Sequence, residues 1–382
     1  MHTDPTSPNQ PNTQTSVSVP RLAIKTVCLF IVINLVYVTI NPLPILGQIS
    51  AYNILFPGRL RLPYGETSSQ SYNLSLFSLD AMFASHAVAS RKNPTEYRVV
   101  LIGDSSTWGY LLKPDQTLSA NLNATKLARP DGREVHVYNL GYPTMSLAKD
   151  LMILKRSLNY QPDLIIWLVS LESFPRDKQL SSPIVQHNPK EMQAIFQTYA
   201  INLDPNDPSF VRQGFWQNTL PGQRRELADL LRLQLYGVMW AATGIDQYYP
   251  ASYEPPQVDL PADQTFHGMK PPTLQPEDIS LDILQAGFQA AGKTPILLVN
   301  EPIYLSSGRN SNIRYNFFYP RWAYDQYRQM LFTQSLAHGW DYLDLWQMLP
   351  AQEFTNSAIH VTPAGEAEIS QKIATAISHI NR

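Results

Sequence analysis

From Tyr97 onward, short apolar runs alternate with segments of helical periodicity, and that alternation limits what the chain can fold into. Arg98-Val-Val-Leu-Ile102, Val135-His-Val-Tyr-Asn-Leu140, Asp163-Leu-Ile-Ile-Trp-Leu-Val169, Thr294-Pro-Ile-Leu-Leu-Val299 and Asp341-Tyr-Leu-Asp-Leu345 read as five strands. The third is apolar enough to be covered on both faces. Helices are expected between them at 117–128, 146–158 and 321–338. Leu147, Leu151, Leu154 and Leu158 share one helical face. A last helix opens at Thr362-Pro363, with threonine as N-cap and proline in the first turn. Strands alternating with helices predict a parallel sheet covered on both sides, an α/β fold. Such sheets bind ligands beyond the carboxyl ends of their strands. The residues to inspect are therefore those that follow each strand.

A second feature lies upstream. No charged residue occurs between Lys25 and Arg59, and Thr26 to Ile45 is nearly all apolar. Twenty helical residues at about 1.5 Å each match a hydrocarbon core of about 30 Å. The expected organisation is a disordered tail at 1–20, a transmembrane helix at 21–46, a connecting region at 47–95 with one helix near 79–90, and a catalytic domain at 96–382. An insertion at 175–285 lies beside the active face. It holds an amphipathic helix near 223–242 and a Pro- and Tyr-rich stretch. Arg21 and Lys25 flank the near side of the span, whereas Arg59 and Arg61 lie beyond the far side. The nearest cations count most, which places the N-terminus in the cytoplasm and the bulk outside. A cleaved signal peptide is the competing reading, although Gly47-Gln-Ile-Ser50-Ala51 makes a poor cleavage site. A buried core helix is the third.

Composition narrows the function. The 29 Lys+Arg against 31 Asp+Glu give a net charge of −2, which argues against nucleic-acid binding. Cys28 is the single cysteine, so an internal disulfide and a Cys-rich zinc site are excluded. The eight histidines show no ligand spacing, and no metal or other cofactor is expected.

The strand ends carry the chemistry. Strand one runs into Gly103-Asp104-Ser105-Ser106, strand two into Asn139-Leu-Gly141-Tyr-Pro-Thr144, and His360 follows strand five. A serine hydroxyl becomes a nucleophile when a base takes its proton. Each signal has a plain alternative: a capped turn for Gly-Asp-Ser, a turn glycine for Gly141, a surface histidine for His360. Their shared position at one edge of the sheet is what singles them out.

Gly103-Asp104-Ser105, Gly141, Pro162–Glu172 and His360-Val-Thr-Pro-Ala-Gly365 together resemble the SGNH or GDSL hydrolases over roughly 97–172 and 290–380. That resemblance implies a flavodoxin-like three-layer α/β/α parallel sheet and an esterase or acyltransferase activity. It implies Ser105 as nucleophile, His360 as base, and the N–H groups of Ser105 and Gly141 as oxyanion donors. Two positions depart from the family. Glu172 stands where the family has an oxyanion-hole asparagine, and an ionised glutamate donates no hydrogen bond. Ser357 stands where the family has the acid of its Asp-x-x-His block, with Asn356 before it. Either oxygen could accept from the imidazole. Glu301, Glu353 and Asp344 are candidate remote carboxylates. Asp104, Trp108, Arg314, Tyr315 and Arg321 are candidate substrate contacts, and Tyr110 is placed to touch an acyl group. Tyr248, Tyr249 and Tyr253 read more simply as packing. With the membrane helix, the layout resembles membrane-anchored SGNH-like proteins of the bacterial plasma membrane that modify cell-surface polymers. That implies an extracytoplasmic catalytic domain, an acylated glycan or similar ester substrate, and a membrane-bound O-acyltransferase as partner. A catalytically impaired glycan-binding or scaffold subunit is the alternative.

Overall fold

The computed structural model describes residues 18–65, 70–212 and 214–380. Most of the expected tail at 1–20 lies outside the described residues. By internal contacts the chain divides into two units. One comprises residues up to Pro42 together with Gln213–Arg225, and the other is the remainder.

The larger unit is built on five parallel strands: β1 (Glu96–Ile102), β2 (Glu134–Asn139), β3 (Leu164–Val169), β4 (Ile296–Asn300) and β5 (Asp341–Asp344). Their order is β2-β1-β3-β4-β5, that of the flavodoxin-like sheet. Period-2 alternation sorts the side chains into two cores. Val100, Ile102, Ile165, Trp167 and Leu298 meet the helices Leu147–Ser157, Leu281–Ala291 and Arg321–His338. Val99, Leu101, Ile166 and Val299 meet the helices Leu118–Ala124 and Pro363–His379. Both faces of β1, β3 and β4 are therefore buried, which is why their sequences read as continuous apolar runs. The final helix begins as expected, the Thr362 hydroxyl accepting from the Gly365 N–H.

Three boundaries differ from expectation. The apolar helix is Val19–Ile40, not 21–46. Asn41 takes a left-handed conformation and its N–H caps Tyr37 O, and Pro42 prevents continuation. The 47–95 region is not a mere connector. Leu62, Leu74, Leu76, Leu79, Met82, Phe83 and Val88 belong to the main core. Its expected helix shortens to Leu79–Ala84 followed by a 3₁₀ turn at Ala87–Ala89. The insertion is also more central than expected. Ile184, Val185, Met192, Ile195 and Phe196 pack into the same core. Its last segment leads into the Leu281–Ala291 helix, which precedes β4 and was not legible as a helix.

Candidate active site

β1 runs into the turn that carries Ser105. Gly103 ends the strand. A Cβ there would fall on Thr107 Oγ1, so only glycine admits the tight approach. Asp104 caps a single helical turn, Ser105–Trp108, by accepting from the Ser106 N–H at 2.8 Å. The turn closes through the N–H groups of Gly109 and Tyr110, both reaching Ser105 O. The Ser105 N–H heads this turn and makes no hydrogen bond among the described residues.

His360 arrives from the other end of the chain. An antiparallel bridge between Phe354 and Val361 folds the intervening loop back, and the Thr355 N–H closes it on His360 O at 2.9 Å. His360 Nε2 lies 2.8 Å from Ser105 Oγ, and Nδ1 lies 3.1 Å from Asn356 Oδ1. Asn356 Oδ1 can only accept, so Nδ1 carries the proton and Nε2 presents a lone pair to the Ser105 hydroxyl. The Tyr110 ring packs on the imidazole with centroids 4.9 Å apart. Burial pushes the His360 pKa down to about 4, so the imidazole is neutral at pH 7. Both Ser105 and His360 remain partly exposed.

Asn356 is the residue that meets the ring's second nitrogen. Of the two neighbouring candidates, Asn356 makes the contact and Ser357 does not; the serine is turned inward. None of the remote carboxylates reaches the imidazole. Glu301 accepts from Thr107 Oγ1 at 3.3 Å. Glu353 accepts from Thr362 Oγ1, and Asp344 is paired with Arg328 at 2.7 Å.

A buried ionisable set lies next to the Gly103–Ser105 turn. Lys149 Nζ donates to Gly103 O at 2.7 Å and Tyr142 O at 3.1 Å, and pairs with Asp150. Burial raises the Asp104 carboxyl to about 6, against the opposing pull of Lys149 and the Ser106 N–H. Burial likewise holds Glu301 well above the usual carboxylate range, with the Asp104 charge adding to the effect. The sequence pattern gave no sign of this set.

Several expected roles change. The Gly141 N–H donates to Asn139 Oδ1 at 3.0 Å and is not free to meet an oxyanion. A glycine is required there for another reason: a Cβ would sit 2.5 Å from the Trp108 N, on the nucleophile turn. Glu172 is not an oxyanion donor. Its carboxylate binds Lys178 Nζ at 2.5 Å and His267 Nε2 at 3.0 Å. Burial raises its pKa, but the hydrogen bonds from His267 and Lys178 outweigh that and keep it ionised. Asp104 is 2% exposed and occupied in capping, so it does not face a substrate. Trp108 is 1% exposed, donates to Leu62 O at 2.9 Å and lies under the Arg61 guanidinium. Arg314 ties the backbone carbonyls of Asn316, Asp263 and Phe317 together. The Tyr315 hydroxyl donates to Asp325, and Arg321 stacks on the Tyr315 ring while donating to Ser311 O. That aromatic segment is packing. A cleft of about 310 Å³ does lie nearby, bounded by Tyr64, Tyr110, Leu111, Gln247 and Tyr248, and Tyr110 joins it to His360. Tyr249 and Tyr253 bond to Asp246 and to Leu111 O, which agrees with their packing role.

Comparison with known proteins gives fold-level likeness only. No family model and no curated protein matches the chain. Among solved structures, it is similar to a lipase/acylhydrolase from Enterococcus faecalis at 16% identity and TM-score 0.35, covering 74% of this chain and 95% of that one. It is similar to a member of the lipolytic protein G-D-S-L family from Veillonella parvula at 10% identity and TM-score 0.35, covering 75% and 98%. It is also similar to Est24, a carbohydrate acetylesterase from Sinorhizobium meliloti, at 13% identity and TM-score 0.33, covering 73% and 97%. Superpositions this loose say little about chemistry. The distances around Ser105 and His360 say more.

Proposed function

We propose that this chain is a serine esterase or O-acyltransferase of the SGNH/GDSL type, held at a bacterial plasma membrane by Val19–Ile40 and acting outside the cytoplasm. One observation carries the chemistry: an alcohol and a neutral imidazole from opposite ends of the chain lie 2.8 Å apart, with the imidazole's other nitrogen held by an amide oxygen.

Ser105 Oγ attacks an acyl carbonyl carbon while its proton passes to His360 Nε2. The carbonyl oxygen becomes an oxyanion, met by the Ser105 N–H. The tetrahedral species collapses, and the leaving alkoxide takes the proton back from Nε2. Acyl-Ser105 remains. Water or a sugar hydroxyl then gives its proton to His360 and attacks the acyl carbon, and Ser105 is restored. Est24 is described as a carbohydrate acetylesterase, and an acylated glycan is the substrate we propose here as well. The aromatic-walled cleft beside Tyr110 suits a sugar face.

The orientation has support beyond the sequence. Arg59 and Arg61 are not free juxtamembrane cations. Arg59 binds Asn73 and Tyr72 O, and Arg61 binds Asp246 and the carbonyls of Gly109 and Leu112. Arg21 and Lys25 then dominate the charge bias at the span. A membrane-bound O-acyltransferase partner belongs to the same proposal, by likeness of layout alone.

The second reading, an impaired glycan-binding subunit, is favoured by Asn356 in place of a carboxylate. A fluorophosphonate probe separates the two. Covalent labelling of the wild-type chain that disappears in Ser105→Ala supports the enzyme. Folded protein that resists the probe yet retains glycan binding supports the subunit.

A further inference from the structure

The apolar helix of the smaller unit carries a single amide side chain, Asn34. Asn34 lies six residues before the end of Val19–Ile40, about 9 Å inward at 1.5 Å per residue. It is the buried residue of that helix, 7% exposed, while Phe30, Ile31, Val32 and Leu35 around it are open. A polar group at that depth is expected to have a partner and a purpose. Its Nδ2 donates to Phe30 O at 2.8 Å, and its Oδ1 accepts the backbone N–H of Leu220 at 3.1 Å.

The segment reached in this way is unusual. Gly214–Gln223 carries no charge, and Arg224 and Arg225 follow directly. Trp216 is 76% exposed and Phe215 49%. Exposed large aromatics side by side call for a covering medium. The backbone is equally telling. The N–H groups of Asn218 and Gln223 bond to carbonyls inside the segment, Thr219 N–H reaches Trp216 O, and Gly222 N–H reaches Thr219 Oγ1. Pro221 has no N–H, and Leu220 is taken by Asn34. From residue 218 to 223 every backbone donor has a partner. That is the condition for irregular backbone at hydrocarbon depth. Between this turn and the helix runs an apolar groove of about 430 Å³, lined by Phe30, Ile31, Leu35, Phe215 and Trp216 with Arg224 at its edge.

We propose that residues 214–223 form a hook embedded in the outer leaflet, pinned to the membrane helix through Asn34, with lipid acyl chains filling the groove. Trp216 and Phe215 sit at the level typical of interfacial aromatics, and Arg224 and Arg225 meet the headgroups. This rests on the membrane-anchor reading above, and deepens it from a single span to a span with a second point of insertion.

Site-directed spin labelling in lipid nanodiscs tests it. The native Cys28, exposed on the helix, reports on the anchor itself. A Cys28→Ser, Trp216→Cys chain reports on the hook. Collisions with oxygen exceeding those with a water-soluble nickel chelate at both positions are expected. A label at 216 that meets the chelate freely overturns the hook while leaving the anchor intact. A label at 216 shielded from both reagents means that protein, not lipid, covers the groove, and also overturns it. A label at Cys28 open to the chelate removes the anchor reading and the hook with it. Adding Asn34→Leu should raise chelate access at 216 severalfold with Cys28 unchanged. No change would show that Asn34 does not hold the hook.

Discussion

Among the described residues no carboxylate stands behind His360, whose Nδ1 meets the Asn356 amide oxygen, and its pH behaviour follows from that. Burial holds the folded imidazole near 4, so the ring stays neutral well below the usual histidine range. The acid limb of kcat/KM on a p-nitrophenyl ester should therefore fall near pH 4 instead of near 6.5. Asn356→Asp places a negative charge on Nδ1 and should lift the imidazole pKa by about 1–3 units. The acid limb then moves up by that amount, and the rate at pH 7–8 rises because a stronger base draws the serine proton. An unchanged limb would mean that Asn356 does not govern the ring. At this scale the sequence was informative about Ser105 and His360, because their neighbours share a recognisable pattern at strand ends. It was misleading about Trp108, Arg314 and Tyr315. Composition cannot tell an aromatic that faces a cleft from one that fills a core, since the same ring does both. It could not choose between Asn356 and Ser357 either; the hairpin bridging Phe354 and Val361 makes that choice.

At the scale of elements, helix against sheet sets the tolerances. Gly287 of the Leu281–Ala291 helix lies on the Trp167 ring, and a methyl there would overlap Cζ3. Gly287→Ala should cost about 1–3 kcal/mol in denaturant unfolding, because Trp167 is fully buried on β3 and has nowhere to go. The last helix carries a different stress. Glu366 is buried with Oε1 unpartnered, and burial raises its pKa to about 8. The folded state thus keeps a proton that the unfolded chain releases above about 4.5, and stability falls as pH rises from there toward 8. Glu366→Gln should flatten that decline. Melting temperatures of the variant and wild type should converge near pH 4.5 and separate in the variant's favour at pH 8. The strand that places Trp167 was readable in the sequence as a continuous apolar run, and the last helix that places Glu366 as a 3.6-residue period behind a Thr-Pro start. The Leu281–Ala291 helix was not: Ser280 at its N-cap and Asp282 in its first turn are start signals, but they follow directly on an irregular Pro-rich stretch that masks them.

For the whole molecule, the apolar helix and the α/β domain make separate demands. Leu29→Arg puts a charge near the middle of Val19–Ile40, at a cost of about 2.5–3.5 kcal/mol for insertion. Alkaline carbonate should leave the wild-type chain in the membrane pellet and extract a larger share of this variant. A wild-type chain fully released by carbonate would remove the anchor. The sequence marked the apolar helix by its missing charges, but it could not show that Arg59 and Arg61 beyond it are interior residues, because burial of an arginine leaves no trace in composition.

The strap formed by Arg61 and Leu62 has a practical corollary for anyone trimming this protein. Arg61 grips the carbonyls of Gly109 and Leu112, and Leu62 O holds the indole of Trp108. A soluble version begun at the first strand would cut away the brace behind its own nucleophile. One begun ahead of Pro57 would keep it, whereas the shorter chain, which also loses Leu74, Leu76, Leu79, Met82, Phe83 and Val88 from the main core, should lose folded structure together with probe reactivity.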